Sequence, residues 1–380
     1  MKRLSLLIPG LLALWMADGL SAQAGSHDDS FSRQGLFKAD VSTLKDTQLV
    51  AHPDVPLAAD ENVLWCGTLQ LAWNKAVGLV GEKLHFTRQP RMADLLNRED
   101  FTDADLDPSS CVALADFERN RVEDEIRAAL EKTFNGSASP ELIPPVPPHP
   151  GPDDFLAYAY LYKNLSFATP FWVNEPLAFG GHSVANFGFR TNLHSLPPAI
   201  ANQVIIRDYQ SDDNFVIELK IKKPEDVLIL AKVPLGATLQ ATIQSVLKRA
   251  AQEPVPPTDE DELAIPKLNF DLRGDFPELE GLVLQPGSNA RVKGLETTSV
   301  KQLVRFQFNE SGAILKSEAA IAVGATAMAP QYRPQPHRLI FDRPFLILLK
   351  QAKSDKPYFA LWVGNASLLM PAKSSDAPPK

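Results

Sequence analysis

The chain has 380 residues, 44% of them hydrophobic and 22% charged, with 38 Lys and Arg against 46 Asp and Glu for a net charge of −8. This apolar content excludes a disordered chain, the length allows one large domain or two ordinary ones, and the acidic balance argues against a nucleic-acid binder, which needs a basic field. Prolines (32) outnumber glycines (20), which predicts extended stretches and stiffened loops rather than glycine-rich phosphate cradles.

Lys2 and Arg3 precede an apolar run over 4–15 and the small-residue exit Ser21-Ala22-Gln23-Ala24. A basic start, a short apolar segment and a small-x-small exit predict a secretory signal peptide over 1–24. The run is shorter than the ~20 residues a membrane span needs, so the expected product is secreted, extracellular or periplasmic, with no membrane anchor after cleavage. Two cysteines remain, Cys66 and Cys111. In an oxidising compartment they can pair; equally, Cys66 lies in an apolar pattern that suits a buried thiol, and both readings stay open. The histidines are scattered and no HExxH is present, so neither a metal nor another cofactor is expected.

Residues 25–59 are polar and proline-punctuated, which predicts a flexible lead-in. Asp60-Glu61-Asn62 then precedes Val63, Leu64, Leu69, Ala72, Trp73, Ala76 and Val77, a helical spacing after an N-cap type residue. A second helix is predicted over 116–134, stopped by Asn135-Gly136. Residues 140–152 hold seven prolines in 13 positions and read as a stiff connector, with polyproline recognition as the other reading. The apolar segment 155–167, polar only at Lys163, Asn164 and Ser166, predicts a strand buried on both faces. Strands follow at 183–190, 203–209, 214–221 and 226–233, a helix at 238–251, and strands at 263–272, 299–308, 338–341, 345–350 and 357–363. The end, 371–380, reads as a disordered tail. Helices first and strands later predict an α+β fold, with 60–370 as a single domain.

Enzyme motifs are missing: there is no Walker A loop, no GxGxxG and no GxSxG. Gly180-Gly181-His182-Ser183 reads as a turn between strands. Asp153-Asp154, Asp212-Asp213 and Asp259-Glu260-Asp261-Glu262 read as solvated loop acids. The chain is therefore not expected to be an enzyme.

The signal concentrates between 304 and 345. A strand leads into Asn309-Glu310-Ser311-Gly312, then a run of small residues from Ser317 to Ala329, then a proline-spaced segment and Phe341-Asp342-Arg343-Pro344-Phe345. Small side chains on a long segment suit insertion into a tight gap between strands without overpacking. The other reading is a hairpin turning at 309–312 followed by an Ala-rich strand and a loop.

Glu310-x-Gly312 with Ser317-Glu318-Ala319-Ala320 and the alanines beyond, including Ala322, resembles the hinge of a serpin reactive-centre loop. Phe341-x-x-Pro344-Phe345 and Phe359-Ala360-Leu361-Trp362-Val363-Gly364 resemble the closing serpin strands. Asn62-Val63-Leu64-Trp65, the segment 120–134, Tyr160-Leu161-Tyr162-Lys163, Thr169-Pro170-Phe171 and Ile265-Pro266-Lys267-Leu268 are similar to further serpin segments, in the same order. The resemblance implies a serpin-like α+β domain: eight or nine helices around three mixed or antiparallel sheets, with an exposed reactive-centre loop. It also implies a secreted monomer that offers the loop to serine-type, or cysteine, proteases and inserts it into the central sheet after cleavage. The alternative it leaves is a non-inhibitory binding protein whose loop does not insert.

The candidate reactive bond is Met328-Ala329, with Arg333 second because Pro334 follows it. Ala313-Ile314-Leu315-Lys316 stands between Gly312 and the small-residue run as an apparent insertion. The bulk of Ile314 and Leu315 and the charge of Lys316 predict resistance to entering a sheet.

Overall fold

Residues 35–136, 138, 140–143, 151–190, 196–285, 287–316 and 336–372 are described by a computed structural model. The chain opens with β1 (Phe37–Asp40) and β2 (Thr47–Val50), so part of the expected flexible lead-in is instead tied into two sheets. Next come β3 (Asn62–Cys66) and α1 (Thr68–Val80). The helix expected to begin at Asp60-Glu61-Asn62 is thus corrected. Every residue of β3 is buried, and burial on both faces favours a central strand over a one-faced helix.

After α2 (Arg91–Leu96), β4 (Val112–Phe117) takes the first residues of the predicted second helix, and α3 (Val122–Phe134) begins past a 3-10 turn. α3 ends at Asn135, whose φ of 49° is the left-handed stop predicted for Asn135-Gly136. The strand expected to be buried on both faces is two, β5 (Phe155–Tyr160) and β6 (Lys163–Ser166), and β5 is half-buried apart from Tyr158. Short strands β7 (Trp172–Val173), β8 (Leu177–Phe179), β9 (His182–Val184) and β10 (Asn186–Phe189) lead to α4 (Pro198–Ala201). Gly180 and Gly181, at φ 55° and 84°, make the two-residue turn joining β8 to β9, a conformation that favours glycine at both places. Then come β11 (Val204–Ser211), β12 (Asn214–Leu219), β13 (Asp226–Lys232) and α5 (Leu239–Ala250), whose N-cap Thr238 accepts from the Ala241 N–H. The chain closes with β14 (Glu262–Pro266), β15 (Leu268–Asp275), β16 (Lys301–Asn309), β17 (Gly312–Lys316), β18 (Arg338–Ile340), β19 (Phe345–Gln351) and β20 (Pro357–Val363).

Three larger sheets result: β1-β15-β16-β17-β6, β18-β14-β10-β7 and β11-β12-β13-β19-β20-β3-β2, with β4-β5 and β8-β9 as separate pairs. Each larger sheet has one parallel pairing, β1 with β15, β14 with β18 and β2 with β3, and is otherwise antiparallel. This is the α+β arrangement of three mixed sheets that the serpin resemblance implies. The described residues hold five α-helices and seven 3-10 turns rather than eight or nine helices. One apolar core runs through all three sheets, from Val63 and Leu71 to Phe306, Leu348 and Trp362. A smaller one lies under α3, where Val122, Ile126 and Leu130 meet Val112 and Tyr158. Along β5 the faces alternate: Leu156, Tyr158 and Tyr160 turn to α3, whereas Phe155, Ala157 and Ala159 pack on the main core.

Candidate functional site

The hairpin joining β16 to β17 turns at Glu310-Ser311, with Asn309 paired to Gly312. Gly312 sits at φ 139°, and a Cβ there would come 2.4 Å from the Leu165 carbonyl oxygen, so only glycine fits against β6. Neighbouring backbone fastens the turn, since the N–H groups of Phe167 and Phe171 donate to the Ser311 and Glu310 carbonyls, both at 2.9 Å. Glu310 pairs with Lys267, at the junction of β14 and β15, at 2.5 Å. Of the expected hinge residues, Glu310 and Gly312 fall within the described chain, and both sit at the turn between β16 and β17.

β17 lies between β16 and β6, antiparallel to both. The expectation that Ala313-Ile314-Leu315-Lys316 resists entry to a sheet is therefore corrected: these residues form a strand inside it. Ala313 and Leu315 are fully buried, with Leu315 opposite Phe306 and Lys163. Their size is accommodated because Phe308 and Phe306 form a deep apolar wall on the same face, while Ile314 is only half-buried.

Beyond β17, no strand among the described residues pairs β5 with β16. A cavity of about 140 Å³ separates β5 from β16, lined by 156–161 on one side and 301–303 and Arg305 on the other, with Thr68, Leu69 and Ala72 of α1 along its base. Glu141 and Leu142, from the connector after α3, also line it. Glu141 reaches across to Arg305 at 2.6 Å, and Arg305 also binds Asp271 at 2.8 Å, which in turn meets Lys38 at 3.0 Å. The Glu141 contact is a strap over the cavity held by one half-exposed pair, a type worth about 1 kcal/mol or less. Glu141→Ala should therefore lower the unfolding midpoint by no more than a few degrees. If a strand is to enter the cavity, the same change should speed its entry several-fold, read as the rate of stabilisation after proteolytic nicking; an unchanged rate would show that the strap does not gate it.

Two buried polar groups frame this region. Gln302 on β16 donates to the Cys66 carbonyl at 3.0 Å and to Thr68 Oγ1 at 2.7 Å, while its own Oε1 is buried with no hydrogen-bond partner among the described residues. Lys163 on β6 meets Asp226 on β13 at 2.8 Å, with both side chains completely buried. Sequence reasoning missed both. The one signal was a lysine inside an apolar strand, which demands a buried counter-ion that spacing cannot name.

The return end of the segment joining β17 to β18 is also anchored. The His337 N–H donates to Asp261 Oδ1 at 2.6 Å, and its ring Nδ1 lies 3.1 Å from the same oxygen. Burial works against ionisation of Asp261, but the bonds from His337 and from the Thr258 N–H outweigh it and hold the carboxyl below its usual range. Asp261 was expected to be a solvated loop acid; it is fully buried and structural.

Ser317, Glu318, Ala319, Ala320 and Ala322 of the expected hinge, and the expected bait residues Met328, Ala329 and Arg333, lie outside the described residues, as do the expected signal peptide and the tail from 373. Cys66 and Cys111 are not joined by a disulfide, so the disulfide reading is corrected. Cys66 is fully buried at the end of β3, and burial pushes the Cys111 thiol up to about 12. Among the described residues no three His, Cys, Asp or Glu side chains group to hold a metal, and no helix is long and apolar enough to cross a membrane.

No family model matches the sequence, and no curated protein matches it. Among solved structures the chain is similar to Serpin48, described as a highly specific serpin of the insect Tenebrio molitor. That match has 14% identity and a TM-score of 0.42, covering 80% of this chain and 92% of that one. It is also similar to human thyroxine-binding globulin complexed with its hormone, at 12% identity and a TM-score of 0.44, covering 80% and 92%. At these values the likeness concerns the path of the chain and says nothing about activity.

Proposed function

We propose that the mature chain is an exported, monomeric inhibitor of serine-type, or cysteine, proteases that needs no cofactor. A protease cuts the segment joining β17 to β18, and the freed end lengthens β17 into the cavity between β5 and β16. The observation that carries this reading is the place where β17 stops: Lys316 pairs with Arg305, a residue of the cavity wall. Continuing that register sets Ser317 opposite Val304, Glu318 opposite Leu303, Ala319 opposite Gln302 and Ala320 opposite Lys301. By the two-residue period of a strand, Ser317 and Ala319 take the same face as the buried Ala313 and Leu315, where only small side chains avoid overpacking. Ala322 takes the other face, so it is a poorer reporter of entry than Ala319. The lengthened strand would give Gln302 a close neighbour and cover the open edges of β5 and β16.

Met328-Ala329 suits elastase-like or subtilisin-like enzymes, whereas Pro334 would hinder trypsin-like cleavage after Arg333. The test is to incubate the mature chain with subtilisin, elastase and trypsin. The expected result is an SDS-resistant complex with one of them and a rise in melting temperature on nicking near Met328. Simple cleavage by all three, with no rise, would sink the proposal. It would favour the second reading, a non-inhibitory serpin-like protein. That reading is supported by the five residues of β17 already seated in the sheet, which can serve as a fixed strand.

A further inference from the structure

The connector that carries Glu141 leaves α3 through Asn135 and Gly136, the one Asn-Gly pair in the sequence. Both residues are exposed. Asn135 stands at φ 49° and ψ 46°, its N–H bonded to the Glu131 carbonyl at 2.8 Å, and Gly136 at φ 77°. Asn and Gly end a helix in this left-handed form at the least steric cost, which accounts for the pair structurally. The same pair is chemically labile, because no side chain shields the glycine nitrogen from the asparagine amide beside it.

Among the described residues neither the Asn135 side chain nor the Gly136 N–H makes a hydrogen bond. Other asparagine amides are clamped. Asn365 donates to the Asp46 and Asp60 carbonyls at 2.9 and 2.8 Å and accepts from the Ser367 N–H. Asn289 donates to the Val80 carbonyl at 3.0 Å, and the fully buried Asn62 donates to Asn365 and Ser367, both at 2.8 Å. Each of these three is also followed by a residue with a side chain, Ala366, Ala290 or Val63. Asn135 alone joins exposure, an unheld amide and a following glycine.

We propose that Asn135 is a site of spontaneous deamidation in the folded protein and that the change acts as an ageing switch on the connector. The Gly136 nitrogen attacks Asn135 Cγ. The N–Cγ bond forms, the Cγ–Nδ2 bond breaks, and the amide leaves as ammonia with the proton given up by Gly136. Water then opens the resulting succinimide at either carbonyl, giving aspartate or isoaspartate, and no other reactant is needed. Either product puts a negative charge at the negative pole of α3. The exposed Glu131 carboxylate is already there, close enough that a Cβ on Gly136 would lie 3.3 Å from it. Isoaspartate also adds one atom to the main chain. Phe134, Ala138 and Ile143 all pack on the small core under α3, so the added length displaces the connector between them. Glu141 rides on that stretch, and its strap to Arg305 loosens. The modification itself does not rest on the trapping reading.

The test is to hold the folded full chain for several weeks in mildly alkaline buffer, digest it with trypsin and weigh the peptides. Cleavage after Lys132 and Lys163 releases 133–163, in which Asn135 is the one Asn or Gln, so a gain there has a single source. The expected result is that this peptide exchanges an amide for an acid several-fold faster than any other asparagine peptide. Part of it should accept methyl groups from an isoaspartate methyltransferase, and mildly acidic buffer should slow the reaction, since ring closure needs a deprotonated nitrogen. In the aged chain the amides of 130–134 should exchange a few-fold faster. Asn135→Gly keeps the left-handed stop without the amide and should show neither change. A 133–163 peptide that stays unmodified overturns the site, as does a glycan on the Asn135-Gly136-Ser137 acceptor motif of the native protein. A modified chain that exchanges like the fresh one overturns the switch.

Discussion

On the proposed trapping mechanism, replacing Ala319 by Arg is expected to turn an inhibitor into a substrate. The bait segment is still cut, the covalent complex falls by at least about a hundredfold, and the nicked chain no longer gains thermal stability. The register of β17 explains why. Arg305 pairs with Lys316 and Phe306 with Leu315, so the next buried-face position after Ser317 is Ala319, opposite the buried Gln302. An arginine there would lie against the start of α1, where Gln302 already uses the Cys66 carbonyl and the Thr68 hydroxyl. Leaving one charge buried and unpaired costs about 3–5 kcal/mol, and about 2.7 kcal/mol suffices for a hundredfold loss. Ala320→Arg is the matched control. Its partner Lys301 has a side chain 41% exposed, so an arginine on that face can stay in water and trapping should persist. Equal trapping by the Ala319 and Ala320 variants would show that β17 does not extend in this register.

Much of this architecture is legible in the sequence, and the misreadings have a common cause. α5 was readable because Thr238 caps a helix with one buried stripe, Leu239, Ile243 and Val246, and polar residues elsewhere. β11, β12, β13, β16, β18, β19 and β20 were readable because turns and alternation bound them, whereas β14 and β15 were read as one strand over 263–272. β3 was misread as helix because Asn62-Val63-Leu64-Trp65-Cys66 is buried on every side, which erases the period that separates strand from helix. Residues 313–316 looked like an obstacle because bulk was judged without knowing its neighbours. Phe306 and Phe308 across the hairpin and Leu165 on β6 make the position of Leu315 a core position. Asp261 looked like a loop acid for the same reason, since its partner His337 lies 76 residues away, and the strand residue Asp226 gave no sign of Lys163, 63 residues away. The strap from Glu141 to Arg305 spans 164 residues, and no local pattern could have paired them.

The largest stability effect is expected at the buried ion pair that joins the first sheet to the third. Lys163 Nζ is 2.8 Å and 3.1 Å from the two oxygens of Asp226 and lies 5.0 Å from the centre of the Tyr358 ring. Gln351 Nε2 approaches the same carboxylate at 3.4 Å. With both side chains completely buried, removing one partner strands the other without water. Asp226→Ala should therefore cost about 3–5 kcal/mol, seen as a lower urea midpoint with an unchanged slope. Changing both partners, Lys163→Met with Asp226→Leu, removes the attraction and the desolvation penalty together, and should recover most of that loss. The two outcomes separate a pair that stabilises from one that mainly fixes geometry. Lys163 pairs through its backbone with Leu315, so whatever seats Lys163 also seats the last buried residue of β17. If the pair fixes geometry, the double variant should fold almost as stably as the unaltered chain yet expose the amides of 313–315 to faster hydrogen exchange. A loss under about 1 kcal/mol in Asp226→Ala would mean that Lys163 finds solvent or another partner, and the seam between the sheets would have to be more open than these contacts describe.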